Sequence, residues 1–218
     1  MIVDLFLTVL SGIGWILVYE ECIRIGLKQK TYAMPLFALG LNFAWEFLYS
    51  VVDIVYEAHG PLVGMNIVQE VVNIFWCCLD VVILYTYLKN GKKEWPGSIN
   101  SKYFVPWTLL VLVCSFALQI VFMVEFGFTM ASQYSAFLQN VIMSVLFIHL
   151  FAKRGGDFGQ SLLLAVAKWI GTLAPTILMG VITYNPVVLV CGIFCTVFDV
   201  VYIALLVNER KKKRLTVR

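Results

Sequence analysis

The sequence predicts an all-α fold: a polytopic membrane protein forming one seven-transmembrane-helix bundle over residues 1–218, N-terminus outside and C-terminus cytoplasmic. Three observations carry this. First, 61% of the 218 residues are hydrophobic and only 13% are charged, about half the charged share of a soluble domain. Second, the apolar residues come in blocks of about 20, the length that crosses a bilayer as a helix. Third, the basic residues alternate between the connections. They follow the first, third, fifth and seventh blocks and are missing after the second, fourth and sixth. That alternation is what the positive-inside rule requires of seven spans. A missed or extra helix would put basic loops on both sides.

The blocks run in order at about 3–22, 32–53, 64–88, 103–124, 129–152, 161–183 and 186–207. The first ends before Arg24, Lys28 and Lys30. It lacks a basic leader, so no cleavable signal peptide is expected. His59-Gly60-Pro61 separates the second from the third. Lys89, Lys92, Lys93 and Lys102, with the breaker Trp95-Pro96-Gly97, separate the third from the fourth. Lys153, Arg154, Gly155 and Gly156 close the fifth, and Asn185-Pro186 closes the sixth, in which Pro175 marks a kink. The Arg210–Arg214 run and Arg218 follow the seventh. This tail reads as a topology anchor, with anionic lipid as a second reading, and nothing in it points to nucleic acid. No further soluble domain and no internal repeat is expected. All six cysteines, Cys22, Cys77, Cys78, Cys114, Cys191 and Cys195, fall in apolar blocks without metal-ligand spacing. They read as small buried hydrophobes.

Function is sought at ionisable residues inside the spans, which are expensive there. Five qualify: Glu46, Glu70, Asp80, Lys168 and Asp199. Asp4, Asp53, Glu57 and Glu125 sit near the outer surface, Glu20 and Glu21 near the inner one, and His149 caps or snorkels. Asn42, Glu46, Tyr49 and Asp53 share one face of the second span, with Trp45 beside them. Asn66, Gln69, Glu70, Asn73, Cys77 and Asp80 stripe the third, with Trp76 close by. Ser132, Gln133, Ser135, Gln139 and Asn140, with Tyr134, add polar groups to the fifth, and Asp199 shares a face of the seventh with Tyr202, beside Phe198. Glu46 and Glu70 lie roughly 10 Å below the outer end and Asp199 roughly 18–20 Å down. A cavity open to the outer face is therefore expected. Interhelical hydrogen bonding alone is the plainer reading of the Asn, Gln and Ser residues. Lys168 either snorkels or pairs with Asp80. Burial without a cation disfavours an ionised carboxylate, so these acids are candidate proton donors in a dry chamber.

The quoted segments "GIGWILVY" (Gly12–Tyr19), "KQKTYAMP" (Lys28–Pro35) and "LNFAWEFLYS" (Leu41–Ser50) add a specific likeness. With weaker echoes in "FWCCLDVVILYTYLK", "QYSAFLQNVIMSVLFI", "KWIGT" and "FDVVYI", the chain resembles the integral-membrane terpene cyclases of fungal meroterpenoid and indole-diterpene pathways, which have bacterial relatives. The resemblance covers essentially the whole chain. It implies two catalytic acids, Glu46 after Ala44-Trp45 and Asp199 in the last span, and no role is carried over from it to Glu70 or Asp80. It implies protonation of an epoxide or alkene on a prenylated, membrane-dissolved substrate, followed by carbocation cyclisation. Trp45, Tyr49, Trp76, Tyr134, Phe198 and Tyr202 would offer π-faces to the cation. Asn42, Glu70, Asn73, Asp80 and Gln133 complete the expected pocket.

No aspartate-rich diphosphate motif occurs in the sequence, so neither metal nor other cofactor is expected. The host membrane would be the endoplasmic reticulum in a fungus or the plasma membrane in a bacterium. The competing reading is a small proton-coupled solute transporter using the same carboxylates. A retinal photoreceptor lacks its lysine, since the last span has none before Lys211.

Overall fold

The computed structural model describes residues 2–57 and 67–216, and the side chains of residues 2–51 and 71–215. Every regular element among them is helical. The α-helices are α1 (Ile2–Lys28), α2 (Leu36–Glu57), α3 (Ile67–Asn90), α4 (Phe104–Arg154), α5 (Leu162–Pro175) and α6 (Pro186–Thr216). Five stretches are long and apolar enough to cross a membrane, and Leu36–Val51 is a shorter apolar helix. Large side chains such as Val121, Val124 and Val113 face outward, as expected where lipid rather than water surrounds the helices.

Six α-helices stand where seven separate blocks are expected, because the fourth and fifth blocks form one 51-residue element. Its interior is broken at Gly127, at φ 70° and ψ 161°, a backbone region that only glycine enters readily. Gln119 and Gln139, which would stand about 30 Å apart on a straight helix, are hydrogen-bonded at 2.9 Å. The two limbs, 104–126 and 128–154, therefore fold back on one another. Gly127 is one ordinary-looking residue in an apolar run, which is why the reversal carries no loop.

Pro175 disturbs the sixth block as expected. Proline has no N–H to give the carbonyl four residues back, and that carbonyl, of Gly171, accepts from Ser11 Oγ at 2.8 Å instead. The helix continues past Pro175 as a wider π-turn stretch, Thr176–Ile182. Helix α1 packs against α5, α2 against α3 and α4, and α6 against α4 and α5. At the α1–α5 crossing, a Cβ on Gly14 would sit 2.8 Å from the Gly171 Cα, so these helices touch backbone to backbone.

At the basic end, Arg154 ties the connections together. Its Nε and Nη2 donate to the two Glu94 carboxylate oxygens at 2.9 Å each, and Nη2 also donates to Thr31 Oγ1 and the Tyr32 carbonyl. The cysteines divide: Cys22 and Cys195 are buried, but Cys78 and Cys114 are exposed on the outer surface of the bundle. Hydropathy alone does not separate a core-facing from a lipid-facing cysteine, because both surroundings are apolar.

Candidate active site

Helix α2 presents Asn42, Glu46 and Tyr49 on its buried face, as their three- and four-residue spacing requires. Glu46 is 3% exposed and Asp80, on α3, fully buried. They belong to one hydrogen-bonded cluster. Asn42 Nδ2 donates to Asp80 Oδ2 at 2.8 Å and to Tyr19 Oη at 2.6 Å. Tyr19 Oη in turn lies 3.4 Å from Glu46 Oε1. Gln139 Nε2 reaches Asn42 Oδ1 at 3.4 Å. Two buried oxygens in the cluster, Glu46 Oε2 and Asp80 Oδ1, have no hydrogen-bond partner among the described residues. Neither carboxyl forms an ion pair among those residues.

One aromatic contact reaches this cluster directly, and Trp45, Tyr49, Tyr134 and Tyr202 pair elsewhere in the bundle. Trp76 stacks on Tyr19 with ring centroids 6.0 Å apart, and Trp45 meets Tyr49 at 5.0 Å. Trp45 Nε1 is held by the Ser132 carbonyl at 2.9 Å. Tyr134 packs on Phe126 at 5.6 Å, and Gln133 beside it is half-buried. Asn73 is buried in the same stripe as Asp80. The side chains of Asp53, Asn66, Gln69 and Glu70 lie outside the described residues.

Asp199 corrects the sequence expectation. It is 1% exposed but is not an acid without a cation. Lys168 Nζ donates to its two oxygens at 3.0 and 2.9 Å and to Ser144 Oγ at 2.6 Å. Lys168 neither snorkels nor pairs with Asp80: it is fully buried against Asp199. Phe198 is half-buried, and Tyr202 stacks on Phe147 at 5.6 Å. The two acids that depth and motif assign together thus have different partners. Glu46 shares a network with Asp80, and Asp199 is locked to a lysine. Rotation about a helix axis decides this, and a depth reckoned along the axis is blind to it.

Among the described residues, one cavity lies away from the opening expected at the outer end. A cavity of about 670 Å³ lies at the basic end, lined among others by Tyr32, Tyr87, Glu94, Trp107, His149 and Lys153. No expected pocket residue lines it. The outer end of α2 and its connection to α3, where the opening is expected, include residues whose side chains are outside those described.

Sequence reasoning passed over Tyr19 and Gln119. The only signal for Gln119 is a lone amide in an apolar run, and for Tyr19 its place on the buried α1 stripe with Cys22 and Ile25.

The sequence matches the family described as Pyr4-like transmembrane terpene cyclases over residues 1–212. The chain belongs to the Pyr4-like transmembrane terpene cyclases. It is an integral-membrane enzyme of that class. Among its relatives, terpene cyclase pyr4 of Aspergillus fumigatus is 26% identical over 219 residues, 95% of this chain and 87% of the relative. Terpene cyclase dpfgB of Gibberella zeae is 30% identical over 165 residues, 75% of this chain and 64% of the relative. Terpene cyclase atmB of Aspergillus flavus is 26% identical over 170 residues, 76% of this chain and 65% of the relative. The chain thus spans a little under two thirds of the last two. No solved structure matches this Pyr4-like cyclase significantly.

Proposed function

We propose that this cyclase starts its reaction by protonating a prenylated, lipophilic substrate from Glu46. The observation that carries the reading is Glu46 Oε2, a buried carboxyl oxygen without a hydrogen-bond partner among the described residues. Its sister oxygen is engaged by Tyr19, and no described cation neutralises the group. In the reaction, the proton leaves Glu46 Oε2 either for an epoxide oxygen, whose C–O bond then opens to leave a carbocation, or for an alkene carbon, whose π pair forms the new C–H bond and leaves the cation on the neighbouring carbon. Ring closures follow, and the last cation loses one proton to a base. No proton is gained or lost overall, so the product is an isomer of the substrate. Dry surroundings keep water from trapping the cation, and Trp45, Tyr49 and Trp76 supply π-faces. The missing aspartate-rich motifs support initiation by acid rather than by diphosphate departure.

Asp199 is not the donor in this reading. Neutralised by Lys168, it is a fixed charge that fastens α6 to α5. The transporter alternative gains no support from the relatives.

The reading includes seven crossings, α4 supplying two because its limbs double back at Gly127. The alternation of basic loops supports an outer N-terminus and a cytoplasmic C-terminus, in the endoplasmic reticulum of a fungal host or the plasma membrane of a bacterial one.

The test is expression of the chain and of Glu46→Gln with farnesylated or geranylgeranylated substrates, with and without a terminal epoxide. The unaltered chain forms a product of unchanged mass, and Glu46→Gln forms none while remaining folded. Normal cyclisation by Glu46→Gln overturns the assignment.

A further inference from the structure

The polar groups around Glu46 have a direction. Gln119 Nε2 donates to Gln139 Oε1 at 2.9 Å and to the Leu41 carbonyl at 3.4 Å. Gln139 Nε2 then donates to Asn42 Oδ1 at 3.4 Å. Asn42 Nδ2 donates to Tyr19 Oη at 2.6 Å, and Tyr19 Oη donates to Glu46 Oε1 at 3.4 Å. An amide flip would run the chain the other way, but the fixed acceptor at its head forbids it. The Leu41 carbonyl accepts only, which sets Gln119. With Gln119 set, Gln139 turns its Oε1 to Gln119 and its Nε2 to Asn42 Oδ1, which leaves Asn42 Nδ2 facing Tyr19 Oη and, at 2.8 Å, Asp80 Oδ2. With both Asn42 N–H groups given away, the Tyr19 hydroxyl accepts one and has its single proton left for Glu46.

We propose that Gln119, Gln139, Asn42 and Tyr19 form a one-way relay that makes Glu46 Oε1 an acceptor and so reserves Oε2 for the acidic proton. They are positioning residues: each acts through the next, and Tyr19 alone touches the acid. When the proton departs from Oε2, the charge left on the carboxylate is met by a donor already in place at Oε1. A preorganised donor to developing charge is worth roughly 10²–10³-fold in rate. The relay draws one member from α1, one from α2 and two from α4, so its geometry depends on the fold-back at Gly127. This inference rests on Glu46 being the proton donor.

The test compares Tyr19→Phe, Gln139→Met and the double variant on one cyclisable substrate in detergent or nanodiscs. Tyr19→Phe is expected to lower kcat by about 10²-fold with KM nearly unchanged, and Gln139→Met by about 10-fold, each while still folding cooperatively. Because the relay acts through Tyr19, the double variant is expected to be no slower than Tyr19→Phe alone. Independent packing roles would instead multiply the two losses. Turnover within twofold of the unaltered chain in Tyr19→Phe, multiplying losses, or an effect confined to KM each overturns the relay. Should Tyr19→Phe fail to fold, Gln139→Met and Gln119→Met decide alone, and normal kcat in both overturns it. An inactive Glu46→Gln beside a normal Tyr19→Phe removes the relay only, whereas an active Glu46→Gln removes the donor assignment beneath it.

Discussion

Asp199→Asn is expected to fail through stability before it bears on chemistry. Among the described residues, the Asp199 carboxylate is the only acidic partner of Lys168, whose side chain is 0% exposed. Removing it leaves an ammonium in the protein interior with Ser144 Oγ as its remaining recorded partner. Breaking one side of a buried ion pair costs about 3–5 kcal/mol, roughly a 10²–10⁴-fold shift toward the unfolded state. Replacing both partners by apolar residues of similar size is often neutral or stabilising by about 1–4 kcal/mol. Asp199→Asn, Lys168→Met and the double variant Lys168→Met with Asp199→Leu are therefore compared by thermal unfolding in detergent, alongside product formation. Each single variant should unfold well below the unaltered chain, and the double variant should recover most of the loss. Recovery of cyclisation in the double variant would agree with a fastening role. A double variant that is stable but inactive would restore Asp199 to the chemistry. A destabilisation under about 1 kcal/mol in Asp199→Asn would refute the argument from buried charge.

Two other sites give sharp expectations. Arg154→Ala should cost about 3 kcal/mol, because Glu94, the Thr31 hydroxyl and the Tyr32 carbonyl lose their shared donor. Arg154→Lys should not rescue it, since one ammonium cannot reproduce the forked contacts, and unfolding curves in detergent check both. Gly14→Leu should destabilise by at least 1–3 kcal/mol, roughly the cost of overpacking, since the neighbour is the Gly171 backbone and cannot step aside; reduced yield of folded protein and a lowered unfolding temperature would report it.

The composition and the alternation of basic loops were enough to read a helical membrane bundle, because lipid leaves the backbone few alternatives. Glu46 stood out for the same reason: a carboxylate in an apolar face needs an explanation. Pairings were not legible. Lys168 lies at a depth that suits several acids, and only the rotation of α5 turns it to Asp199. Gln119 and Tyr19 gave weak signals, being polar groups whose partners are 20 and more residues away. The merged fourth and fifth blocks show the limit of counting. Both limbs were visible, but the single residue that reverses them looks like any other glycine.

That reversal also bears on how the chain is made. Residues 104–126 and 128–154 are joined by a single peptide hinge, so they leave the ribosome without a polar stretch to linger in water between them. Insertion of the pair as one unit, rather than one helical limb at a time, is the expectation from such a joint. A long hydrophilic tag spliced at position 127 would then disturb assembly far more than the same tag in the Gly155-Gly156 turn.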